Sequence, residues 1–162
     1  MPQFHSVPTS FNFDGRFLKL QMTREARKRG VKIYNRVMMT DLLASDGEIA
    51  GAAGVGVRDG NIYSFKAKAV VLGSCTVNNT VLRPTAGLLE EIKGHKFKGK
   101  LGAAFGSYGW SGEAPKNISA ALETAGLKIV QEPLAIRYRP SEKEFAKCRA
   151  FGENIAIAIL GK

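Results

Sequence analysis

The sequence predicts a three-layer α/β fold: a parallel sheet between helices, with an antiparallel β-meander inserted ahead of its first core strand. Three observations carry this. Two short apolar runs, Ala69-Val70-Val71-Leu72 and Leu101 to Phe105, have the uncharged character of strands buried on both faces. Each run passes into a loop of Gly, Ser, Thr or Asn and then into a helical pattern, the alternation that builds a parallel sheet. Residues 38–66 instead alternate strand-like runs with the turn signals Asp46-Gly47 and Asp59-Gly60.

Composition narrows the class. A chain of 162 residues with 44% hydrophobic content is one domain by default and buries a core without disulfides. Its two cysteines, Cys75 and Cys148, are too few for a disulfide framework and read as reduced thiols of a cytoplasmic protein. No apolar run approaches a membrane span, and no secretory signal pattern opens the chain. The two histidines, His5 and His95, have no companions at ligand spacing, so no metal site is expected. The net charge of +10 attracts phosphates. Basic clusters occur at Arg24, Arg27, Lys28, Arg29 and Lys32, and at Lys93, Lys96, Lys98 and Lys100. Neither has the interleaved aromatics of a nucleic-acid motif, so they read as solvated faces.

Taken in order, residues 1–15 are irregular, with Phe4, Phe11 and Phe13 among prolines and polar residues. Arg16 to Arg29 reads as a helix with Phe17, Leu18, Leu20, Met22 and Ala26 on its apolar side, stopped by Gly30. Val31-Lys32-Ile33-Tyr34 alternates as a strand, and Met38 to Ala44 extends it or begins another. Glu48 to Val57 and Ile62 to Phe65 complete the meander around Arg58-Asp59-Gly60-Asn61. Arg83-Pro84 opens a helix with Ala86, Leu88, Leu89 and Ile92 inward, closed by Lys93-Gly94. Glu113 to Thr124 is helical, with Ile118, Ala121, Leu122 and Ala125 inward and Gly126 as its stop. Leu127 to Val130 is the last core strand, and Glu132 to Pro140 a connector. Ser141 caps a final helix to about Leu160 that buries Phe145, Cys148, Phe151, Ile155 and Ile159.

Two loops stand out as a ligand crevice: Ser74-Cys75-Thr76-Val77-Asn78-Asn79 and Gly106-Ser107-Tyr108-Gly109-Trp110-Ser111-Gly112. Loops at strand carboxyl ends form the crevice of an open α/β sheet. Their N–H groups suit polar ligand atoms, and Tyr108 and Trp110 offer flat faces for a ring. Together with Gly99 to Ala114 and Tyr138-Arg139-Pro140, these motifs resemble the later part of the flavodoxin-like domain of flavodiiron proteins, over residues 69–159. The resemblance implies a flavodoxin-like, Rossmann-like sheet whose two loops wrap flavin mononucleotide (FMN). Two residues depart from that family: Cys75 replaces a usual Pro and Thr80 a usual Gly. A positive φ at Thr80 would carry a steric penalty.

Residues 10–72 resemble a different family, the FAD-binding domain of fumarate reductase and succinate dehydrogenase flavoproteins. The carriers are Arg29-Gly30-Val31-Lys32-Ile33, Asp46 to Ala52, Val57-Arg58-Asp59-Gly60, and Lys66 to Leu72. The G-x-G-x-x-G fingerprint of that family is missing, and so are the first strand and phosphate loop of the flavodoxin-like fold. The chain therefore reads as parts of two flavoprotein folds joined at residues 69–72, a chimera. The shared strand predicts a sheet in the order 31–37, 69–73, 101–105, 127–131, with residues 38–66 as the crossover.

The functional expectation is an FMN-binding module with weak electron transfer, no complete active site and an incomplete phosphate site partly compensated near Asn35 and Arg36. FAD is the less favoured cofactor. The site residues are Ser74, Cys75, Thr76, Val77, Asn78, Asn79, Ser107, Tyr108, Gly109, Trp110, Ser111 and Gly112. Cys75 stands where a helix N-terminus would favour a thiolate. A homodimer is an open possibility, and neither membrane nor nucleic acid is expected as a partner. The alternative is a ligand-free scaffold that retains the fold alone.

Overall fold

The computed structural model describes residues 15–46, 48–95, 97–138 and 140–161. The expectations for residues 1–14, including Phe4, Phe11, Phe13 and His5, lie outside the described residues, as do Gly47, Lys96 and Arg139. The chain divides into two compact units, Met1–Met38 with Gly54–Tyr63, and Met39–Ala53 with Ser64–Lys162.

In the first unit, helix α1 (Gly15–Lys28) ends as its sequence predicts. Gly30 takes φ +77°. Its N–H donates to the Arg27 carbonyl, and that of Val31 to Ala26, so the last carbonyls are satisfied in a Schellman motif. Leu20 and Met22, expected on a buried face, are exposed. In the same unit the Asp59 carboxylate accepts from the Asn61 N–H (3.1 Å), the Asn61 amide (2.8 Å) and the Tyr63 hydroxyl (3.3 Å). Gly60 supplies the positive φ of that turn.

The meander forms as expected: β1 (Val37–Ser45), β2 (Glu48–Gly56) and β3 (Ile62–Phe65) make a three-stranded sheet in that order. Sequential strands joined by such short turns run antiparallel. The predicted strand at residues 31–37 does not form. Val31 to Asn35 has no regular structure, and strand geometry begins only at Val37. Arg36 at φ +59° breaks the extended run, and Tyr34 packs edge-on against Tyr63, with ring centroids 6.0 Å apart. Consequently residues 31–37 are absent from the parallel sheet, and the proposed four-strand order is wrong at its first position.

The parallel sheet belongs to the second unit. Strand β4 (Ala69–Gly73) pairs along β5 (Leu101–Tyr108), Ala69 opposite Leu101 and Gly73 opposite Phe105. On the far edge of β5, β6 (Lys128–Ile129) pairs with Leu101 and Gly102, and β7 (Leu134–Arg137) with residues Phe105 to Tyr108. Strand β7 corrects the connector expected over Glu132 to Pro140. Between β6 and β7 lies Pro133, which has no N–H for a ladder. Because β7 supplies a partner, β5 continues through Gly106, Ser107 and Tyr108, which were expected in a loop.

Side-chain alternation divides the two faces. Val70 and Leu72 lie with Gly102 and Ala104 on the side of α2 (Arg83–Lys93) and α3 (Ala114–Thr124). Leu89, Ile92, Phe97, Ile118 and Leu122 fill that core, joined by Ile49 from β2. Leu88, expected inward, is exposed. Pro84 and Pro115 occupy first turns, and Gly126 at φ +89° stops the chain after α3. The other face meets α4 (Glu142–Leu160), where the Phe151 and Phe105 rings pack edge-on at 6.5 Å. Helix α4 starts with a capping box: Ser141 Oγ accepts from the Glu144 N–H, and the Glu144 carboxylate accepts from the Ser141 N–H at 2.8 Å. Ile155 is buried as expected, whereas Phe145 is 49% exposed.

Candidate functional site

The two loops singled out in the sequence follow adjacent parallel strands, β4 and β5, at their carboxyl ends. The strand ladder continues into them. Ser74 N–H donates to the Phe105 carbonyl (3.2 Å) and Thr76 N–H to the Ser107 carbonyl (3.0 Å). This is the crevice position of an open α/β sheet.

Within the first loop the polar groups are largely committed to the fold. Ser74 is 7% exposed; its hydroxyl donates to the Cys75 carbonyl (2.9 Å) and accepts from the Leu82 N–H (3.0 Å). Thr76 Oγ1 accepts from the N–H of Ala114, the first residue of α3, at 3.1 Å. Cys75 between them is half-buried and free. Val77 and Thr80 exchange both backbone bonds, at 2.9 and 3.0 Å, with Asn78 at φ +49° and Asn79 at φ +59°. Two successive left-handed residues define a type I′ turn, for which Asn is suited. The feared strain at Thr80 does not arise, because Asn78 and Asn79 carry the positive φ angles instead.

The second loop is shorter than expected. Ser107 and Tyr108 are in β5, leaving Gly109, Trp110, Ser111 and Gly112 at its tip. Gly106 lies so close to Ser74 that a Cβ there would collide with the Ser74 carbonyl. Gly112, at φ +86°, closes over the Tyr108 ring. Ser111 Oγ lies 3.1 Å from Asn79 Oδ1 and 2.6 Å from the Glu113 carboxylate. A hydroxyl has one proton, so the consistent arrangement has Ser111 donating to Glu113 and accepting from an Asn79 amide turned by half a rotation. These contacts join the two loops across their tips.

Trp110 is 71% exposed, with an indole face open to a planar ligand. Tyr138 is a neighbour that the sequence does not place among the site residues. At φ +55°, its N–H donates to the Tyr108 carbonyl (2.8 Å), and its ring stands where a Cβ on Gly109 would be 2.8 Å away. The signal is the Tyr138-Arg139-Pro140 motif, which follows β7, a strand where the sequence predicts a connector.

The start of α3 has little to offer an anionic ligand group: its first N–H is bonded to Thr76, Pro115 has none, and the Glu113 carboxylate stands beside it. The compensating role of Asn35 and Arg36 required residues 31–37 to pair with β4 as a strand of the parallel sheet, and no such pairing forms. Both instead line a cleft with Arg58, Asp59 and Tyr63 of their own unit. A larger, mostly apolar cavity of about 760 Å³ lies in the second unit, lined in part by Met39, Leu42, Leu72, Leu88 and Phe97, with His95 at its wall. Phe97 and Leu127 bring it toward the strands' amino ends, and neither loop contributes to it. Among the described residues no group of His, Cys, Asp or Glu is placed to hold a metal, and no helix is long and apolar enough to cross a membrane.

Comparison with known proteins agrees with a flavoprotein origin on both sides. The FAD binding domain family matches residues 4–132, further along the chain than the motifs that end near residue 72. Over 92 residues, 57% of this chain, the sequence is 45% identical to an anaerobic nitric oxide reductase flavorubredoxin of Vibrio vulnificus. The chain spans only 18% of that relative's length. Among solved structures, the rubredoxin oxygen:oxidoreductase of Desulfovibrio gigas superposes on 59% of this chain and 24% of its own, with TM-score 0.57 and 35% identity. An archaeal flavodoxin superposes on 57% of this chain and 66% of its own, with TM-score 0.54 and 36% identity. The chain thus combines an FAD-binding-family region with a flavodoxin-like region.

Proposed function

The chain belongs to the FAD binding domain family, and from that premise together with its flavodoxin-like sheet we propose that it is a flavin-binding module whose ligand is FMN. One observation carries the reading: the loops after β4 and β5 lie side by side at the strand carboxyl ends and present the exposed Trp110. A flavin bound there would supply the redox chemistry, with electron transfer as its activity, and the protein would supply binding and orientation. The residues proposed to hold it are Ser74 to Asn79 and Ser107 to Gly112, the first group through its outer turn and the second through Trp110. FAD is less favoured, because the nucleotide fingerprint of the FAD-binding fold is missing from this sequence.

The reading includes an incomplete phosphate site. The donors at the start of α3 are engaged internally, and Glu113 repels an anion. Each missing hydrogen bond to a charged group costs about 1.5–3 kcal/mol, so FMN binds more weakly than in a complete cradle. We attribute this to recombination of two flavoprotein segments. The module is further proposed to act in the cytoplasm as a homodimer, with neither membrane nor nucleic acid as partner. Titration with FMN, followed by flavin fluorescence and absorbance, tests the cofactor: saturable quenching supports it and its absence rejects it. In that case the second reading stands, a scaffold without ligand, which the internally satisfied Ser74 and Thr76 hydroxyls favour.

A further inference from the structure

Among the described residues the outer edge of β4 has no strand partner. Leu101 N–H donates to the Lys68 carbonyl, and Ser74 N–H to the Phe105 carbonyl, so the even-numbered residues of this stretch turn their backbone groups toward β5. Backbone groups alternate sides along a strand, and those of Ala69, Val71 and Gly73 therefore point away from the sheet. No other strand among the described residues pairs with them. An edge of this kind is ordinarily blunted by charge, proline, a bulge or a cover. Ala69-Val70-Val71-Leu72-Gly73 contains no charge and no proline.

The face beside that edge is also apolar and open. Val71 is 42% exposed and Phe105 45%, on the side of the sheet that α4 covers over β5 and β7. The strand complements itself. In an antiparallel pairing centred on Val71, each outward residue meets another outward residue: Val71 opposes Val71, and Ala69 opposes Gly73. All their N–H and C=O groups then exchange bonds. Lys68 falls opposite Ser74 of the second copy, not opposite another lysine. For a chain of net charge +10, that register avoids the like-charge contacts that make self-association costly.

We propose that the β4 edges of two copies pair antiparallel about Val71, joining two parallel sheets into one continuous sheet and bringing their Val71 side chains together. The inference rests on the homodimer reading and specifies its surface. It does not involve the crevice loops, which lie at opposite ends of the joined sheet, so it is independent of flavin.

Light scattering coupled to size exclusion, run on the full chain without flavin over a concentration series, tests it with two variants. Val71→Pro removes an outward N–H and leaves the ladder to β5 intact, a position where edge strands tolerate proline. Val71→Lys sets two like charges together at the two-fold axis. The expected result is a dimer for the parent chain and monomers for both variants, with unchanged far-ultraviolet circular dichroism. A monomeric parent overturns both this surface and the homodimer reading. A parent dimer that survives in a folded variant overturns the surface alone. Hydrogen exchange of the parent provides a readout independent of variant folding. Slow exchange at Ala69, Val71 and Gly73 that strengthens with concentration supports the pairing, and fast exchange at all concentrations overturns it.

Discussion

Thr76 Oγ1 accepts a hydrogen bond from the Ala114 N–H at 3.1 Å and so caps helix α3 from the loop after β4. Glu113, the local N-cap residue, makes no side-chain cap of its own. Thr76→Val keeps the shape and removes the acceptor, leaving a part-buried N–H without a partner. Such a loss costs about 1–3 kcal/mol. The variant is expected to unfold at lower urea concentration with an unchanged m-value, while Thr76→Ser stays near the parent. Equal midpoints for Thr76→Val and the parent would remove the cap from this account.

The turn at Asn78 and Asn79 makes a second prediction. A non-glycine residue in the left-handed region costs roughly 1–2 kcal/mol, which Asn offsets in part by its local hydrogen bonding. Asn79→Ala is expected to lose about 1 kcal/mol of stability on that basis, and Asn79→Gly to lose little or gain. Thr80→Gly is expected to give no comparable gain, because Thr80 does not carry a positive φ. Chemical denaturation of the three variants ranks them directly.

Trp110 is the only tryptophan of the chain, so its emission reports on the proposed crevice alone. Bound FMN should quench that emission in parallel with its own fluorescence. Trp110→Ala removes a stacking face worth about 0.5–1.5 kcal/mol beyond area burial, a roughly twofold to tenfold rise in Kd. An unchanged Kd in that variant places the ring elsewhere.

Acidification should loosen the start of α4. The Ser141 N–H, then its hydroxyl, holds the Glu144 carboxyl below its ordinary value. A folded-state value below the unfolded one means the stabilisation is present above the unfolded carboxylate range and is lost as pH falls through the lowered folded value. Stability is therefore expected to drop on the acid side of the carboxylate range, and Glu144→Gln to flatten that part of the curve. The Asp59 carboxyl, lowered first by the Asn61 N–H, adds a loss of the same sign in the hairpin turn. Thermal melts across pH for the parent, Glu144→Gln and Asp59→Asn separate the two.

Much of the fold was legible because its signals are local. Gly30 and Gly126 take positive φ where they were expected to stop helices, Pro84 and Pro115 sit in first turns, and Ser141 with Glu144 closes a capping box. The misses required a distant partner. Leu134 to Arg137 has no strong strand pattern beside Pro133, and becomes β7 because the free edge of β5 lies alongside. Val31 to Tyr34 has the pattern, yet the chain forms no strand there. Phe145 and Leu88 fit a helical apolar stripe, yet their neighbours leave them exposed.

The crevice divides in the same way. The sequence by itself determined that two Gly, Ser, Thr and Asn loops follow two apolar strands, and that one of them bears the single Trp. Periodicity and turn chemistry act within a few residues, and those were sufficient. Only the tertiary structure decided how the polar groups are used. Whether the Thr76 hydroxyl meets a ligand or the Ala114 N–H, and whether Asn79 or Thr80 carries the left-handed turn, depends on atoms brought together from distant parts of the chain. Satisfying buried donors is a global constraint, because each must find its partner in whatever the folded chain places beside it.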